Sequence, residues 1–172
     1  VTILLCIFNI AAYATERQTI LLNGHSLTIE QVVTVARKNH PIQIDAKALE
    51  RVKRSHALLL LAAKKDLPVY GLNRGVGLNK DKVIFKGTML TSAAREQSEQ
   101  FNLNDLLATS AAIGSDAPRE IVRAAMLIRL NTLLLGHAGV QPDAIHMLVA
   151  FLNQDITPIF PSGGSIGEAD IT

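Results

Sequence analysis

A chain of 172 residues, 48% of them hydrophobic, has the size of one domain with a sizeable core. Aromatic residues make up only 4%, so the apolar content is mostly Leu, Ala, Ile and Val, which suits packed helices. The formal net charge of +2 gives no reason to expect a nucleic acid as a partner. Cys6 is the only cysteine, which excludes an intrachain disulfide, and the five histidines lack ligand spacing, so no metal site is expected.

The first fourteen residues differ from the rest of the chain. Residues 2–12 form a short apolar run, and Ala12-Tyr13-Ala14 has the small-x-small form of a signal-peptide cleavage site. The run is too short for a transmembrane helix, which needs about 20 apolar residues. Residues 1–14 are therefore either a signal peptide, which implies a periplasmic or secreted protein, or a buried or spurious segment of a cytoplasmic one. Residues 15–172 form the remaining domain.

A short strand and a helix are predicted next. Residues 19–24 indicate a strand that ends in an Asn-Gly turn. Thr28, with Gln31 three residues later, forms a capping-box pattern that predicts the start of a helix, and Pro41 is expected to end it. The predicted inward face of this helix consists of Ile29, Val32, Val33 and Ala36.

Asp45 is predicted to cap a second helix over residues 46–65, after which Pro68 prevents continuation. Its apolar stripe consists of Leu49, Val52, His56, Leu59 and Leu60. We interpret His56 as a core histidine with a hydrogen-bond partner, because a lone histidine on an apolar stripe lacks the companions that a metal needs.

The second half of the chain is predicted to be mainly helical. The expected elements are a brief strand at 83–85, a helix over 88–112 with a break near Asn102 and Asn104, a turn at 114–118, helices over 119–135 and 142–153, and a loop over 157–167. Pro118 is expected at the first helical position and Gly136 at the end of the same helix, which should be buried on most sides. The fold class is therefore mainly α with a few short strands.

Residues 67–77 are the densest candidate site, with three glycines among the last seven residues. Glycine accepts positive φ angles and close backbone approach, so the segment is either an ordinary turn or a loop that carries functional side chains. The spacing of Gly71, Gly75 and Gly77 does not fit a dinucleotide-binding motif, and no Lys-Ser/Thr pair follows. A nucleotide site is therefore disfavoured.

Three stretches resemble motifs of the aromatic amino acid ammonia-lyase family, in the family's order. They are Tyr-Gly-Leu-Asn-Arg-Gly-Val-Gly at 70–77, Arg-Leu-Asn-Thr-Leu-Leu-Leu-Gly-His-Ala-Gly-Val at 129–140, and Pro-Ile-Phe-Pro with Gly-Ser-Ile-Gly at 158–167. The resemblance implies the N-terminal portion of an ammonia-lyase-like helical fold of the fumarase/aspartase type. It also implies a small-molecule amino acid as substrate and a homo-oligomer, a tetramer in relatives. Family members are much longer than this chain.

The resemblance also implies roles for individual residues. Tyr70 matches the family's tyrosine base, and Asn73, Gly75 and Gly77 match the loop that shapes the site. Arg74 replaces the usual Thr, so it could favour the charged tyrosine, bind a substrate carboxylate or point to solvent. A helical motif aligns Thr109 with the residue that lines the substrate's side-chain pocket, although a shift of one residue would place Ser110 there. Asn73, Arg74, Gly77 and Thr109 are thus the candidate substrate-binding residues.

The family's electrophile, a methylidene-imidazolone, forms from an internal Ala-Ser-Gly, and this chain departs from that motif. Glu168, Ala169 and Asp170 stand at those positions, or one residue is deleted and Asp170 matches the family's following Asp. Both alignments lack the serine and the glycine, so no cofactor is expected. Three functions remain open: an ammonia-lyase, a non-catalytic relative that binds amino acids or has a structural role, and another enzyme that uses Tyr70 and Glu168 as an acid–base pair.

Overall fold

The computed structural model describes residues 18–86 and 91–164 of the chain. Within these residues, five α-helices dominate and four short strands form two separate pairs, so the predicted mainly α class is confirmed. The elements are β1 (Ile20–Leu22), α1 (Ile29–Lys38), β2 (Ile42–Ile44), α2 (Ala46–Lys64), a 3₁₀ turn (Gly77–Asn79), α3 (Ser92–Thr109), β3 (Ile113–Asp116), α4 (Arg119–Leu133), α5 (Pro142–Asn153) and β4 (Pro161–Gly163). The signal-peptide prediction for residues 1–14 falls outside the described residues. None of the helices within the described ranges has the length and apolar content needed to cross a membrane.

β1 precedes α1 in the chain and β2 follows it, and the two strands pair in parallel, with Ile20 opposite Ile42 and Leu22 opposite Ile44. β2 could not be predicted from the sequence, because its three residues are too few to show a periodic pattern. Asn153 at the end of α5 fastens this strand. Its side-chain oxygen accepts the Ile42 N–H at 2.9 Å, and its side-chain nitrogen donates to the Ile42 carbonyl at 3.0 Å.

The capping box of α1 is confirmed, but its inward face and its end are not. Thr28 Oγ1 accepts the Gln31 N–H at 3.3 Å, and Gln31 Oε1 accepts the Thr28 N–H at 2.9 Å. Asn39 in the left-handed conformation ends the helix before Pro41 is reached. The buried residues are Val35 and Ala36, and Val32 packs beside them. Ile29 and Val33 are exposed, because α1 is rotated relative to the predicted face.

α2 begins after Asp45 as predicted, since the Asp45 carboxylate accepts the Ala48 N–H at 3.0 Å. Val52 is buried on the predicted stripe, whereas Leu60 at the far end is exposed. His56 Nδ1 lies 2.9 Å from the Gly139 carbonyl oxygen, which confirms that His56 has a hydrogen-bond partner. His56 is half-buried and lies outside the core cluster, so its predicted place in the core is not confirmed.

The core lies between α1, α2, α4, α5 and the β1–β2 pair. Its fully buried members are Leu22, Val35, Ile42, Ala48, Val52, Leu127, Leu130, Leu134, Ile145 and Leu152. Each large aliphatic side chain buried there stabilises the fold by about 1.5–3 kcal/mol. Leu148 and Val149 on α5 pack at the edge of this core.

Arg123 is fully buried in the middle of this helical layer. Its guanidinium donates to the carbonyl oxygens of Val35 at 3.2 Å and Leu152 at 3.0 Å, and so joins α4 to the last turns of α1 and α5. The Asp155 carboxylate lies 3.4 Å away and also pairs with Arg119. Burial, and then the charge of Arg119, lower the pKa of Arg123. Arginine nevertheless keeps its charge in proteins, so the side chain acts as a charged donor to the carbonyls of Val35 and Leu152.

Other predictions for the second half need correction. α3 runs unbroken past Asn102 and Asn104. α4 starts at Arg119 as predicted, but Pro118 is its N-cap residue and not its first helical residue. Ile121 and Ile128 on α4 are exposed, so this helix is buried on fewer sides than its composition indicated. The predicted turn at 114–118 and loop at 157–167 contain β3 and β4, which pair antiparallel. The strand expected at 83–85 is reduced to one bridge between Val83 and Arg74.

Candidate functional site

The segment after α2 forms a loop that is organised by one buried amide. Asn73 has no exposed surface, and its Oδ1 accepts the Val69 N–H at 2.7 Å. Its Nδ2 donates to the Leu67 carbonyl at 2.8 Å. A local side chain that satisfies backbone groups in this way replaces the hydrogen bonds that a helix or sheet would supply. Both polar atoms of the amide are therefore engaged inside the loop, and the predicted contact of Asn73 with a substrate stays a prediction.

Tyr70 lies on the surface of the same loop, with 62% of its area exposed. Its hydroxyl oxygen accepts the backbone N–H of Gly77 at 2.9 Å. This hydrogen bond connects two residues seven positions apart in the chain, and the Gly77 N–H sets the orientation of the phenol. The bond uses a lone pair of the oxygen, so the hydroxyl can still exchange its own proton with another group.

Arg74 lies within the loop rather than extending into solvent. Its Nη1 donates to the Asn73 carbonyl at 3.0 Å, and the residue is half-buried. Its backbone N–H donates to the Val69 carbonyl, and its carbonyl accepts the Gly71 N–H. In this conformation the guanidinium supports the turn that presents Tyr70, and a contact between Arg74 and a substrate carboxylate stays a prediction.

Gly75 and Gly77 serve the loop in different ways. A β-carbon on Gly75 would lie 2.3 Å from the carbonyl oxygen of Asn79, so no side chain fits there. Gly77 faces open space but has a φ of +55°, which an L side chain adopts only with strain. The first glycine permits close backbone approach, and the second permits the turn that aims its N–H at Tyr70.

A cavity of about 340 Å³ lies between this loop and α3, within the size range of small-molecule sites. The loop contributes Gly75, Val76, Asn79, Lys82 and Ile84, and α3 contributes Phe101, Asn104, Asp105 and Ala108. The four residues from α3 were not among the predicted site residues. Their helical spacing of three and four residues places them on one face, and this was the available signal.

Thr109 is the last residue of α3, next to Ala108 in the cavity wall but not itself part of that wall. Its hydroxyl donates to the Asp105 carbonyl at 2.9 Å, and the Ser110 hydroxyl donates to the Leu106 carbonyl. Both alternatives for the side-chain-pocket residue are therefore bonded to their own helix. The structure places the Tyr70 loop and the end of α3 on two walls of one cavity.

The family model for aromatic amino acid lyases matches residues 27–172, most of the chain. The chain belongs to the aromatic amino acid lyase family. This confirms the resemblance that the three motifs indicated.

Relatives in the aromatic amino acid lyase family share sequence and fold with this chain. It is 37% identical to histidine ammonia-lyase of Gloeobacter violaceus over 148 residues, which cover 86% of this chain and 27% of the relative. Ergothionase of Treponema denticola, an ergothioneine-degrading enzyme, matches with 38% identity and a TM-score of 0.76 over 86% of this chain and 28% of that one. Tyrosine aminomutase of Streptomyces globisporus matches with 27% identity and a TM-score of 0.73 over 86% and 26%. The chain thus spans about a quarter of the length of these relatives.

The second lyase motif, at 129–140, is part of the architecture. Asn131 Oδ1 accepts the N–H of the buried Gly24 at 3.0 Å, and so holds the β1 turn against α4. A β-carbon on Gly136 would lie 3.0 Å from the backbone of Arg51, and one on Gly139 would lie 3.2 Å from Leu59. Gly136 and Gly139 therefore let the segment after α4 pack closely against α2, and this packing explains the motif without a catalytic role.

The third lyase motif, at 158–167, directly precedes the electrophile position in the sequence. A β-carbon on Gly163 would lie 2.8 Å from the Ile113 carbonyl oxygen, and one on Gly164 would lie 3.1 Å from the Ala111 carbonyl oxygen. Gly164, the last described residue, therefore lies beside the segment that follows Thr109. Glu168, Ala169 and Asp170 fall outside the described residues, so their predicted role is untested. Within residues 18–86 and 91–164, no three His, Cys, Asp or Glu side chains converge as a metal ion would require.

Proposed function

We propose that this chain is the N-terminal portion of a longer, homo-oligomeric carbon–nitrogen lyase that eliminates an amine from an amino-acid-like substrate. Tyr70 is the base that takes the β-proton. The observation that carries the proposal is the Tyr70 hydroxyl held at 2.9 Å from the Gly77 N–H. Tyr70 and Gly77 do not line the cavity themselves, but Gly75 and Val76 of the same loop do. Exposure of the phenol leaves its oxygen accessible to a substrate.

The residues of this chain do not fit the family's electrophile. Ring closure requires a serine whose hydroxyl is eliminated and a glycine whose nitrogen attacks, and Glu168-Ala169-Asp170 supplies neither. Ser165 is no replacement, because the nitrogen after it belongs to the β-branched Ile166. A carboxylate such as Glu168 is electron-rich where an electrophile is needed. The elimination that we propose therefore proceeds without that group.

Loss of the electrophile narrows the substrate class. An ammonium group is a poor leaving group until it is activated, whereas a quaternary ammonium keeps its positive charge because it has no proton to lose. When the base removes the β-proton, the electrons of the C–H bond form the double bond, and the C–N bond breaks with its electron pair on a neutral tertiary amine. Ergothioneine, which the similar Treponema enzyme degrades, carries such a trimethylammonium group. We therefore propose an α-trimethylammonium acid as substrate.

The cavity has the side chains to receive such a zwitterion. Phe101 and Asp105 lie one turn apart on α3, and Lys82 lies on the loop. An aromatic face and a carboxylate attract a quaternary ammonium, which cannot donate hydrogen bonds. A lysine ammonium attracts a substrate carboxylate. The half-buried Asp105 and Phe101 therefore suit the cationic end of the substrate, and Lys82 suits the acidic end.

The test is to incubate the complete protein separately with ergothioneine, histidine, phenylalanine and tyrosine. We expect ergothioneine to give trimethylamine and a conjugated acid that absorbs in the ultraviolet, and the other three to give no ammonia. Tyr70→Phe should lower the rate by roughly 10²- to 10⁴-fold, the usual contribution of a positioned base. Asp105→Asn should raise KM, while Asp143→Asn, the same change at an exposed carboxylate on α5, should not. Ammonia from histidine would contradict the proposal, and binding without turnover would identify a non-catalytic relative.

A further inference from the structure

Asn73 could not bind a substrate through its side chain without breaking the hydrogen bonds that hold the loop together. It is fully buried, and its amide connects the Leu67 carbonyl to the Val69 N–H across Pro68. These two bonds, at 2.8 and 2.7 Å, fix the backbone immediately before Tyr70. A substrate that bound the amide would have to replace both of them.

The main chain of Asn73 ties the same segment to the far side of the loop. Its carbonyl accepts the N–H of Ile84 at 3.0 Å. The neighbouring Arg74 N–H donates to the Val69 carbonyl at 3.2 Å. Residue 73 therefore joins three lengths of chain: residues 67–69, residues 73–74 and the return at residue 84. Tyr70 directly follows the first of these lengths, and its hydroxyl accepts the Gly77 N–H.

We infer that Asn73 is the positioning residue for Tyr70: the buried amide fixes the backbone that holds the phenol hydroxyl on the Gly77 N–H, and Asn73 does not contact substrate. The catalytic meaning of this role rests on the proposed function, but the structural role does not. An amide is required because the site needs one acceptor and one donor on the same planar group, and asparagine supplies both over the distance between the two backbone atoms.

Hydrogen exchange of individual backbone amides in the complete protein tests the structural role. Tyr70→Phe removes the acceptor of the Gly77 N–H and should speed exchange at Gly77 by about fivefold, the effect of one net hydrogen bond. Asn73→Ala and Asn73→Asp should reproduce that increase at Gly77. The Val69 amide should exchange faster in the alanine variant only, because aspartate keeps the acceptor. Asn102→Asp, the same change on the exposed surface of α3, should alter neither amide.

Amide exchange in α4 shows whether each variant remains folded. If Asn73→Ala does not fold, exchange at Gly77 in the near-isosteric Asn73→Asp variant tests the inference. An unchanged Gly77 amide in folded Asn73 variants would overturn the inference. Where ergothioneine is turned over, Asn73→Asp should lower kcat by roughly tenfold to a hundredfold, as expected for a misplaced group, with little change in KM. In a Tyr70→Phe background the same change should cause no further loss, and a further loss would contradict a role through Tyr70. Absence of turnover would refute the proposed function, while exchange at Gly77 would still decide the role of Asn73.

Discussion

Gly75 offers a sharp test of how the Tyr70 loop is built. A β-carbon added there would lie 2.3 Å from the Asn79 carbonyl oxygen, whereas ordinary contacts begin near 3.4 Å, so the backbone must move by about 1 Å. The φ angle of Gly75 is not in the left-handed region, so the effect of Gly75→Ala is steric alone. Backbone shifts of this kind cost about 1–3 kcal/mol, and we expect the upper end because a backbone atom cannot rotate away.

Gly77→Ala is the matched control, two residues along the same loop. No atom lies within 4 Å of its added β-carbon, but the φ of +55° makes the substitution cost about 1 kcal/mol through strain. Alanine also retains the N–H that donates to Tyr70. The two variants therefore separate a steric requirement from a torsional one at nearly the same place.

Urea unfolding gives the free energy of each variant, and amide exchange shows where the change occurs. The Gly75 N–H donates to the Lys82 carbonyl at 3.0 Å, so Gly75→Ala should speed exchange across residues 75–82. It should also raise the KM for ergothioneine, because Gly75, Val76 and Asn79 line the cavity. If Gly75→Ala proves no more destabilising than Gly77→Ala, the close backbone approach at Gly75 is not present in solution and our account of the loop is wrong.

Three further outcomes are expected. Arg123→Met should lower the free energy of unfolding by about 2–3 kcal/mol, because it removes the charge-assisted hydrogen bonds to Val35 and Leu152. The control Arg37→Met, at an exposed ion pair, should change it by less than about 1 kcal/mol. Equal effects of the two variants in urea unfolding would contradict the role of Arg123 in joining α4 to α1 and α5. Asn131→Ala should lower the free energy of unfolding by about 1–3 kcal/mol, because it leaves the buried Gly24 N–H without its acceptor. Turnover per folded molecule should stay unchanged. A loss of kcat without a loss of stability would show that the motif at 129–140 has a catalytic role. The hydrogen bond and the charge of Lys53 lower the pKa of Glu50, so this pair should stabilise the chain at neutral pH and lose its effect as the pH falls through the lowered pKa. Glu50→Gln should therefore flatten that part of a plot of the urea unfolding midpoint against pH. An unchanged plot would show that the pair does not contribute to stability.

Local chemistry explains which parts of the fold could be predicted from the sequence. The cap of α1 at Thr28 and the cap of α2 at Asp45 depend on residues three positions apart, so the sequence contains the whole signal. The β1–β2 pair depends on segments about twenty residues apart, and the β3–β4 pair on segments nearly fifty apart, with strands of three or four residues that show no periodicity. Such pairings are decided by tertiary packing and not by local pattern.

The site shows the same division between local pattern and three-dimensional environment. The motif located the loop of Tyr70, and the glycine spacing indicated its tight turns. Neither could distinguish a substrate-binding asparagine from a buried structural one, because that difference lies in what surrounds Asn73. The α3 wall of the cavity was missed because Phe101, Asp105 and Ala108 acquire a common role only when the loop packs against them.

The central claim is that this member of the aromatic amino acid lyase family works without the imidazolone electrophile. The mass of a proteolytic peptide that spans residues 164–172 of the complete protein tests it directly, because ring formation removes two water molecules from the chain. We predict the mass of the unmodified sequence, with Glu168, Ala169 and Asp170 intact. A peptide lighter by the mass of two waters would show that a ring forms here and would contradict the claim.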